Sequence, residues 1–319
     1  MSSQVSPDDP RLPPELEHKI FEIAAFSHPK WIPNLKLVAR RVKFWIDPLL
    51  YRVIFLKNSA AMRELPHLGV HTSTREALQQ ISHESLRHVR HLFFDGDAVG
   101  EAALKTWVAA CTGITRLYAQ IDCTPATLSL LSGFTNIRYL TIDVQALSGA
   151  DVPLPLFLTV THLELLAFGT RHIKTRDMAP VCQNIALIPR LTHIALNPRL
   201  DSHLPHAELK ANTQLQCIAF LSPGASLAGS PLLSDDRFVC IEERRHYELD
   251  WLNGAVFGED YWSLADAFVA GRRAGTIDRS QYRIVNGKGN CKLNVLHWVL
   301  TKESKCEKRL QSWVIQNQP

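Results

Sequence analysis

A short apolar motif recurs between residues 86 and 220, and its spacing restricts the possible folds more than any other feature of the sequence. Each copy reads apolar-x-x-apolar-x-apolar, and successive first positions are 25, 23, 23, 31 and 24 residues apart. Those first positions are Val89, Ile114, Ile137, Val160, Leu191 and Leu215. Because 46% of the residues are apolar, single copies arise by chance, and the prediction depends on their regular succession.

Helix-forming stretches fill several gaps between these copies, at residues 100–111, 125–131 and 176–187. A strand followed by a helix, repeated at a period of about 20–29 residues, is typical of leucine-rich repeats. The strand-to-helix corners lack the asparagine ladder of typical repeats, so this version is degenerate. The sequence therefore predicts an α/β fold of the repeat type, with an irregular leucine-rich-repeat-like solenoid over residues 86–221.

Two amphipathic helices are predicted ahead of the repeats. The segment LPPELEHKIFEIAAF places prolines at a helix entrance, where their missing N–H costs nothing. It puts four apolar residues on one face, namely Leu16, Ile20, Ile23 and Ala24. Pro33 opens a second helix whose apolar residues recur at spacings of three and four. We expect these helices to form a compact helical unit over residues 12–56.

The C-terminal part of the chain is rich in aromatic residues. A strand is expected at Arg237–Ile241 and a helix at Tyr261–Arg273, within a block at 231–290 that caps the end of the solenoid. The other predicted segments are a disordered leader at 1–11, a linker or helical adaptor at 57–85 and a tail at 291–319.

The helical unit resembles an F-box. The resemblance lies in the opening LPPEL at 12–16 and in LVARR at 37–41, and it covers only about 45 residues. The chain as a whole is similar to the F-box-like proteins of mushroom-forming fungi, which share this style of opening and the ending DYWSLADAFVAGRR. That wider likeness extends over most of the chain, with less specific motifs.

The resemblance implies a function in protein degradation. An F-box docks a Skp-type adaptor, and through it a cullin–RING ubiquitin ligase, while the downstream repeats recruit a protein target. The adaptor contacts carried over from the family are Leu12, Pro13, Leu16, Ile20, Leu35 and Val38. Under this interpretation the chain is a non-catalytic substrate-receptor subunit. The alternative is a general protein-interaction scaffold without ligase association.

The same apolar residues have a second interpretation, because a helical unit this small must bury one face against something. They either contact the adaptor or pack onto the first repeat. Exposure of Leu12, Leu16 and Ile20 in the free protein distinguishes the two arrangements.

Target binding is expected on the strand face of the repeats, at the polar positions between the apolar ones. The candidates are Arg116, Arg138, Tyr139, Glu164, Thr192 and His193. A shift of the register by one residue would turn each of these side chains to the other face.

Enzyme chemistry is not indicated by the sequence. It contains neither a GxSxG nucleophile elbow nor a GxxxxGK(S/T) phosphate loop. His88 and His91 are three positions apart in a predicted strand, so they point to opposite faces and do not chelate one ion. We expect no catalytic residues, no cofactor and no metal.

Composition and charge restrict the expected partners and cellular compartment. A net charge of only +4 makes nucleic acid an unlikely partner. The seven cysteines contain no CxxC pair, which favours reduced thiols and an intracellular protein of the cytoplasm, the nucleus or both. The N-terminus is polar and acidic, unlike a secretory signal, and no stretch has the length of a membrane span, so no membrane partner is expected.

Overall fold

The computed structural model of the protein describes residues 12–28, 31–56, 71–72, 81–95, 101–148, 154–167, 178–200, 203–221, 227–242 and 247–284. The predicted leader, the predicted tail and most of the predicted linker lie outside these ranges.

Helices and strands alternate along most of the described chain. The α-helices are α1 (Pro14–Ser27), α2 (Ile32–Leu35), α3 (Arg40–Leu50), α4 (His83–Leu86), α5 (Glu101–Ala110), α6 (Pro125–Leu131), α7 (Ala179–Leu187), α8 (His206–Ala211), α9 (Tyr247–Phe257) and α10 (Tyr261–Arg273). The strands are β1 (Val53–Leu56), β2 (His71–Thr72), β3 (His91–Asp95), β4 (Arg116–Gln120), β5 (Tyr139–Asp143), β6 (His162–Leu166), β7 (His193–Leu196), β8 (Cys217–Phe220), β9 (Phe238–Ile241) and β10 (Arg283–Ile284). Short 3-10 helices lie at Val144–Leu147, Pro155–Phe157 and Pro231–Ser234.

All ten strands join one sheet, and every pairing between them is parallel. From β3 to β10 each strand pairs with the next strand in the chain, while β1 lies beside β3 and β2 forms the outer edge. The motif keeps its register across the sheet, so that Leu117 pairs with Leu140 and Leu140 with Leu163. The predicted α/β class is confirmed.

One face of the sheet forms the main core with the connecting segments. The second and fourth residues of the central strands point into it, as Leu117, Leu140 and Leu163 do, and all three are buried. Trp107 of α5 and Ile185 of α7 belong to the same cluster. Burying each such side chain stabilises the fold by roughly 1.5–3 kcal/mol, which explains why a motif of apolar positions alone determines the register.

Two helices close the other face of the sheet. Helix α9 places Trp251 against Phe55 and Phe93, and helix α10 places Phe268 among small strand residues. The sequence predicted that this block caps the end of the sheet. Strands β9 and β10 do extend that end, but the helices lie across the face that was expected to be open. The reason is that α9 and α10 each have an apolar side, which is buried when the helix packs against the sheet.

The N-terminal helices form their own small core from Ala25, Ile32, Val42 and Ile46. The predicted second helix is divided, because Lys36–Val38 form a turn and Ala39 is extended. This break redirects α3 so that Val42 and Ile46 reach the residues of α1 and α2. No helix in the described ranges is long and apolar enough to cross a membrane.

Candidate functional site

The N-terminal helical unit is held together by its own apolar core and its own ion pairs. Besides its apolar core, Arg41 of α3 donates two hydrogen bonds to the carboxylate of Glu17 on α1, at 2.8 and 2.7 Å. These bonds lower the pKa of Glu17 and raise that of Arg41. Lys36 and Lys43 both contact Asp47, at 2.9 and 3.3 Å. The unit therefore holds its shape without the residues on its outer surface.

An apolar stripe, defined here as Leu12, Leu16, Ile20 and Ile23, runs along the outer side of α1. Their exposed fractions are 51%, 54%, 47% and 44%. Spacings of four and three residues keep Leu16, Ile20 and Ile23 on one side of the helix, and Leu12 lies just before the helix begins at Pro14. Glu17, Phe21 and Ala25 face α3 instead. The stripe is exposed and does not pack onto the sheet. Of the two arrangements considered from the sequence, the one that buries these residues against the first repeat is not observed.

Further apolar side chains are exposed on the same unit. Leu37 and Val38 lie in the turn before α3 and are 81% and 61% exposed, and Phe44 of α3 is 77% exposed. Of the predicted adaptor contacts, Pro13 and Val38 are therefore at the surface together with the stripe. Leu35 is different, because it is partly buried against the unit's own core.

The covered face of the sheet contains a buried ion pair. Arg116 on β4 donates to Asp260, which caps the N-terminus of α10. The Arg116 guanidinium also lies over the rings of Tyr139 and Trp251, at 5.2 and 5.5 Å from their centroids. The Asp260 charge raises the pKa of Arg116 despite its burial. Arg116 was predicted to contact a target, but here it holds a helix on the sheet.

Glu164 on β6 is buried as well, with only 1% of its surface exposed. Its Oε2 atom accepts hydrogen bonds from the hydroxyls of Tyr247, Tyr261 and Thr141. Burial nevertheless raises the pKa of Glu164 to about 7. This predicted target contact is also inaccessible beneath α9 and α10.

An open cleft follows the N-terminal ends of the central strands. Its volume is about 610 Å³, and three of the predicted contacts, Arg138, Tyr139 and Thr192, line it. Arg90 and Arg190 line the same cleft and are exposed, although neither was predicted. A signal for Arg90 existed, since it directly precedes β3 as Arg138 directly precedes β5.

His193, the last predicted contact, lies beneath α10, and only 12% of its side chain is exposed. Its Nε2 atom lies 2.9 Å from Asp266 Oδ1, and its ring stacks on that of His162. Trp262 approaches both imidazoles edge-on. The polar face thus divides into buried contacts under the helices and accessible ones at the cleft.

No protein-family model matches this chain, and no curated protein matches it either. The function is therefore argued from the residues and their contacts.

Proposed function

We propose that this protein is a non-catalytic substrate receptor that docks a Skp-type adaptor of a cullin–RING ubiquitin ligase through its N-terminal helical unit. The observation that carries the proposal is the exposed apolar stripe on a helical unit whose own core is complete without it. Exposed apolar side chains grouped on one helix face are typical of a surface that a protein partner covers.

The free energy gained by burying the stripe under a partner is large enough for docking. Fully burying a leucine or isoleucine is worth roughly 1.5–3 kcal/mol, so half-exposed members of the stripe contribute about half of that each. Leu37, Val38 and Phe44 add area if the partner extends over the turn before α3. Since association itself costs several kcal/mol, the stripe alone supports moderate affinity, and the additional anchors determine whether the complex is tight.

The downstream repeats belong to the same proposal. We infer an irregular leucine-rich-repeat-like solenoid, because neighbouring strands from β3 onward are also consecutive in the chain and keep one apolar register. The structure differs from an open solenoid in that α9 and α10 cover its polar face. Because this face is covered, we expect the target to bind at the edge of the sheet where the strands begin.

The cleft at the strand ends supplies that edge. Arg90, Arg138 and Arg190 are exposed there, and threonines at 115, 161 and 192 line the cleft between them. Arginines attract carboxylates over several ångströms and bind them with paired hydrogen bonds at contact. An acidic segment of a target protein therefore suits this cleft.

The experiment is co-expression of the full chain with a Skp-type adaptor of its organism, followed by affinity capture. The test variant is Leu16→Asp with Ile20→Asp, in the centre of the stripe. The matched control is Leu158→Asp with Leu187→Asp, since these leucines are 44% and 54% exposed outside the helical unit. Circular dichroism verifies that both variants fold.

Capture of the native chain and of the control, but not of the stripe variant, supports the receptor proposal. If the native chain is folded and is not captured, the ligase proposal fails and the scaffold without ligase association replaces it. Equal capture of the native chain and the stripe variant places the adaptor elsewhere and contradicts the docking surface.

A further inference from the structure

Two histidines occupy the same position in neighbouring strands of the covered face. His162 begins β6 and His193 begins β7, and the sheet register pairs them directly. Their rings stack, with centroids 4.1 Å apart and planes inclined by 11°. Asp266, on helix α10, contacts the second of these rings. The cluster thus spans two strands and the helix that covers them.

The threonines before these histidines contact the Nδ1 atoms of both rings. Thr161 Oγ1 lies 2.9 Å from His162 Nδ1, and Thr192 Oγ1 lies 2.7 Å from His193 Nδ1. A hydroxyl both donates and accepts, so these contacts suit either imidazole tautomer. In the tautomer with hydrogen on Nδ1, the hydroxyl accepts from it and Nε2 presents a lone pair.

The imidazole of His193 meets a carboxylate. His193 Nε2 lies 2.9 Å from Asp266 Oδ1, a contact that either an Nε2 hydrogen or a bound cation satisfies. One ligand atom from each of His162, His193 and Asp266 lies within 4.8 Å of the other two. A single ion can therefore reach all three residues after small side-chain movements.

We propose that His162, His193 and Asp266 bind a divalent transition-metal ion of the Zn²⁺ type. Two imidazoles and one carboxylate are ligands that zinc accepts, whereas Mg²⁺ and Ca²⁺ prefer oxygen alone. Three protein ligands leave a fourth position for water or for a ligand from outside. No metal is predicted from the sequence, because His162 and His193 are 31 residues apart and only the register of the repeat aligns them.

The surroundings suit such a site. The Thr161 and Thr192 hydroxyls contact Nδ1 of the two rings, and outer contacts of this kind orient metal-binding imidazoles. Trp262 approaches the His162 and His193 rings edge-on, at centroid distances of 5.1 and 6.1 Å, and limits their rotation. The Asp266 side chain is 51% exposed, which leaves it free to adjust to an ion.

The consequence for the molecule is a link between sheet and helix. The ion would join β6 and β7 to α10, and so hold closed the helices that cover the polar face. This inference does not depend on the proposed adaptor docking, which uses the opposite end of the chain.

The experiment is a metal titration of the full chain after chelator treatment and dialysis, with Co²⁺ as the probe and Zn²⁺ as the competitor. We expect one equivalent of Co²⁺ to give visible absorption and to quench tryptophan fluorescence, and Zn²⁺ to displace it. Trp262→Phe should remove most of the quenching while leaving the absorption. The described cysteines that are deeply buried, such as Cys111 and Cys217, have pKa values raised to about 12 and remain thiols.

Variants assign the ligands. The double substitution His162→Gln with His193→Gln should abolish stoichiometric binding, and Asp266→Asn should weaken it at least tenfold. Thr192→Val keeps the shape but removes the hydroxyl, and should weaken binding about 10–100-fold. His203→Asn is the matched control for loss of a histidine, and it should bind as the native chain does.

Two results overturn the proposal. One is a folded native chain that binds no stoichiometric Co²⁺ or Zn²⁺, in which case a hydrogen bond alone joins His193 to Asp266. The other is binding that the histidine double variant leaves unchanged, or Co²⁺ absorption with intense thiolate bands, which would place the ion on the cysteines. Asp266→Asn keeps the test decisive if the double variant fails to fold, because this position is on the helix surface.

Discussion

Arg116 and Asp260 are 144 residues apart in the chain and form a buried ion pair between the sheet and the first residue before α10. Their side chains are 7% and 5% exposed. Asp260 also accepts from the Ser263 backbone N–H, so one carboxylate both starts the helix and fixes it on the strand. The pair determines how the C-terminal helices seat on the sheet.

Removing one charge of this pair should strongly destabilise the fold. In Asp260→Asn the amide retains the helix-capping oxygen, but the Arg116 guanidinium is left buried without an opposite charge. We expect the free energy of unfolding to fall by about 3–5 kcal/mol. Urea denaturation followed by circular dichroism measures it.

The matching double variant separates charge from shape. Arg116→Met combined with Asp260→Asn removes both charges and keeps the cap, so it should recover a large part of the stability that Asp260→Asn loses. A single variant as stable as the native chain would show that the pair is not buried in solution.

Gly254 of α9 leaves room for the same pair. A methyl group there would lie 2.5 Å from both an Arg116 nitrogen and an Asp260 oxygen. In an exposed helix interior, glycine to alanine stabilises by about 1 kcal/mol. Gly254→Ala should do the reverse and lower the melting temperature, because the ion pair must move. Ala267→Gly, at an exposed position of α10, calibrates the propensity difference in this protein.

Glu164 should make stability depend on pH. Its pKa is raised from 4.5 to about 7 by burial, so the folded state holds a proton that the unfolded state has released between those values. The stabilisation that protonated Glu164 gives the folded state is complete below about pH 4.5. It is lost as the pH rises to about 7. The loss is on the order of 3 kcal/mol.

Glu164→Gln tests this dependence, since the amide oxygen still accepts from the tyrosine hydroxyls but has no charge to bury. Urea denaturation at a series of pH values should show a smaller decline for the variant than for the native chain between pH 5 and 7. Parallel pH profiles for the two proteins would mean that Glu164 titrates normally in the fold.

The parallel strands are predictable from sequence because their apolar positions repeat locally and one face is buried throughout. Val89, Leu92 and Phe94 already define the register that later copies keep. The prolines at 13 and 14 similarly announce the start of α1. Each of these features depends on residues within a few positions of one another.

The closing of the polar face is not predictable in the same way. Arg116 and Glu164 are polar residues between apolar ones, which is the pattern of an exposed face, and their partners Asp260 and Tyr261 lie about a hundred residues or more away. The alignment of His162 with His193 could have been predicted from the register of the repeat. The contact with Asp266 could not, because this residue lies on a distant helix. Long-range polar pairing leaves no periodicity to detect.

The N-terminal helical unit offers a direct comparison between core and surface. Ile46 is fully buried in that unit, and Leu16 and Ile20 are half exposed on its outer side. Ile46→Ala should cost about 2–5 kcal/mol, because it removes methyl groups and leaves a cavity. Leu16→Ala with Ile20→Ala should change stability by less than about 1 kcal/mol in total, as surface substitutions do. Thermal unfolding followed by circular dichroism, with adaptor capture on the same preparations, should therefore find the stripe variant as stable as the native chain but impaired in capture. A stripe variant that unfolds as readily as Ile46→Ala would show that the stripe belongs to the core, and the docking surface would be lost with it.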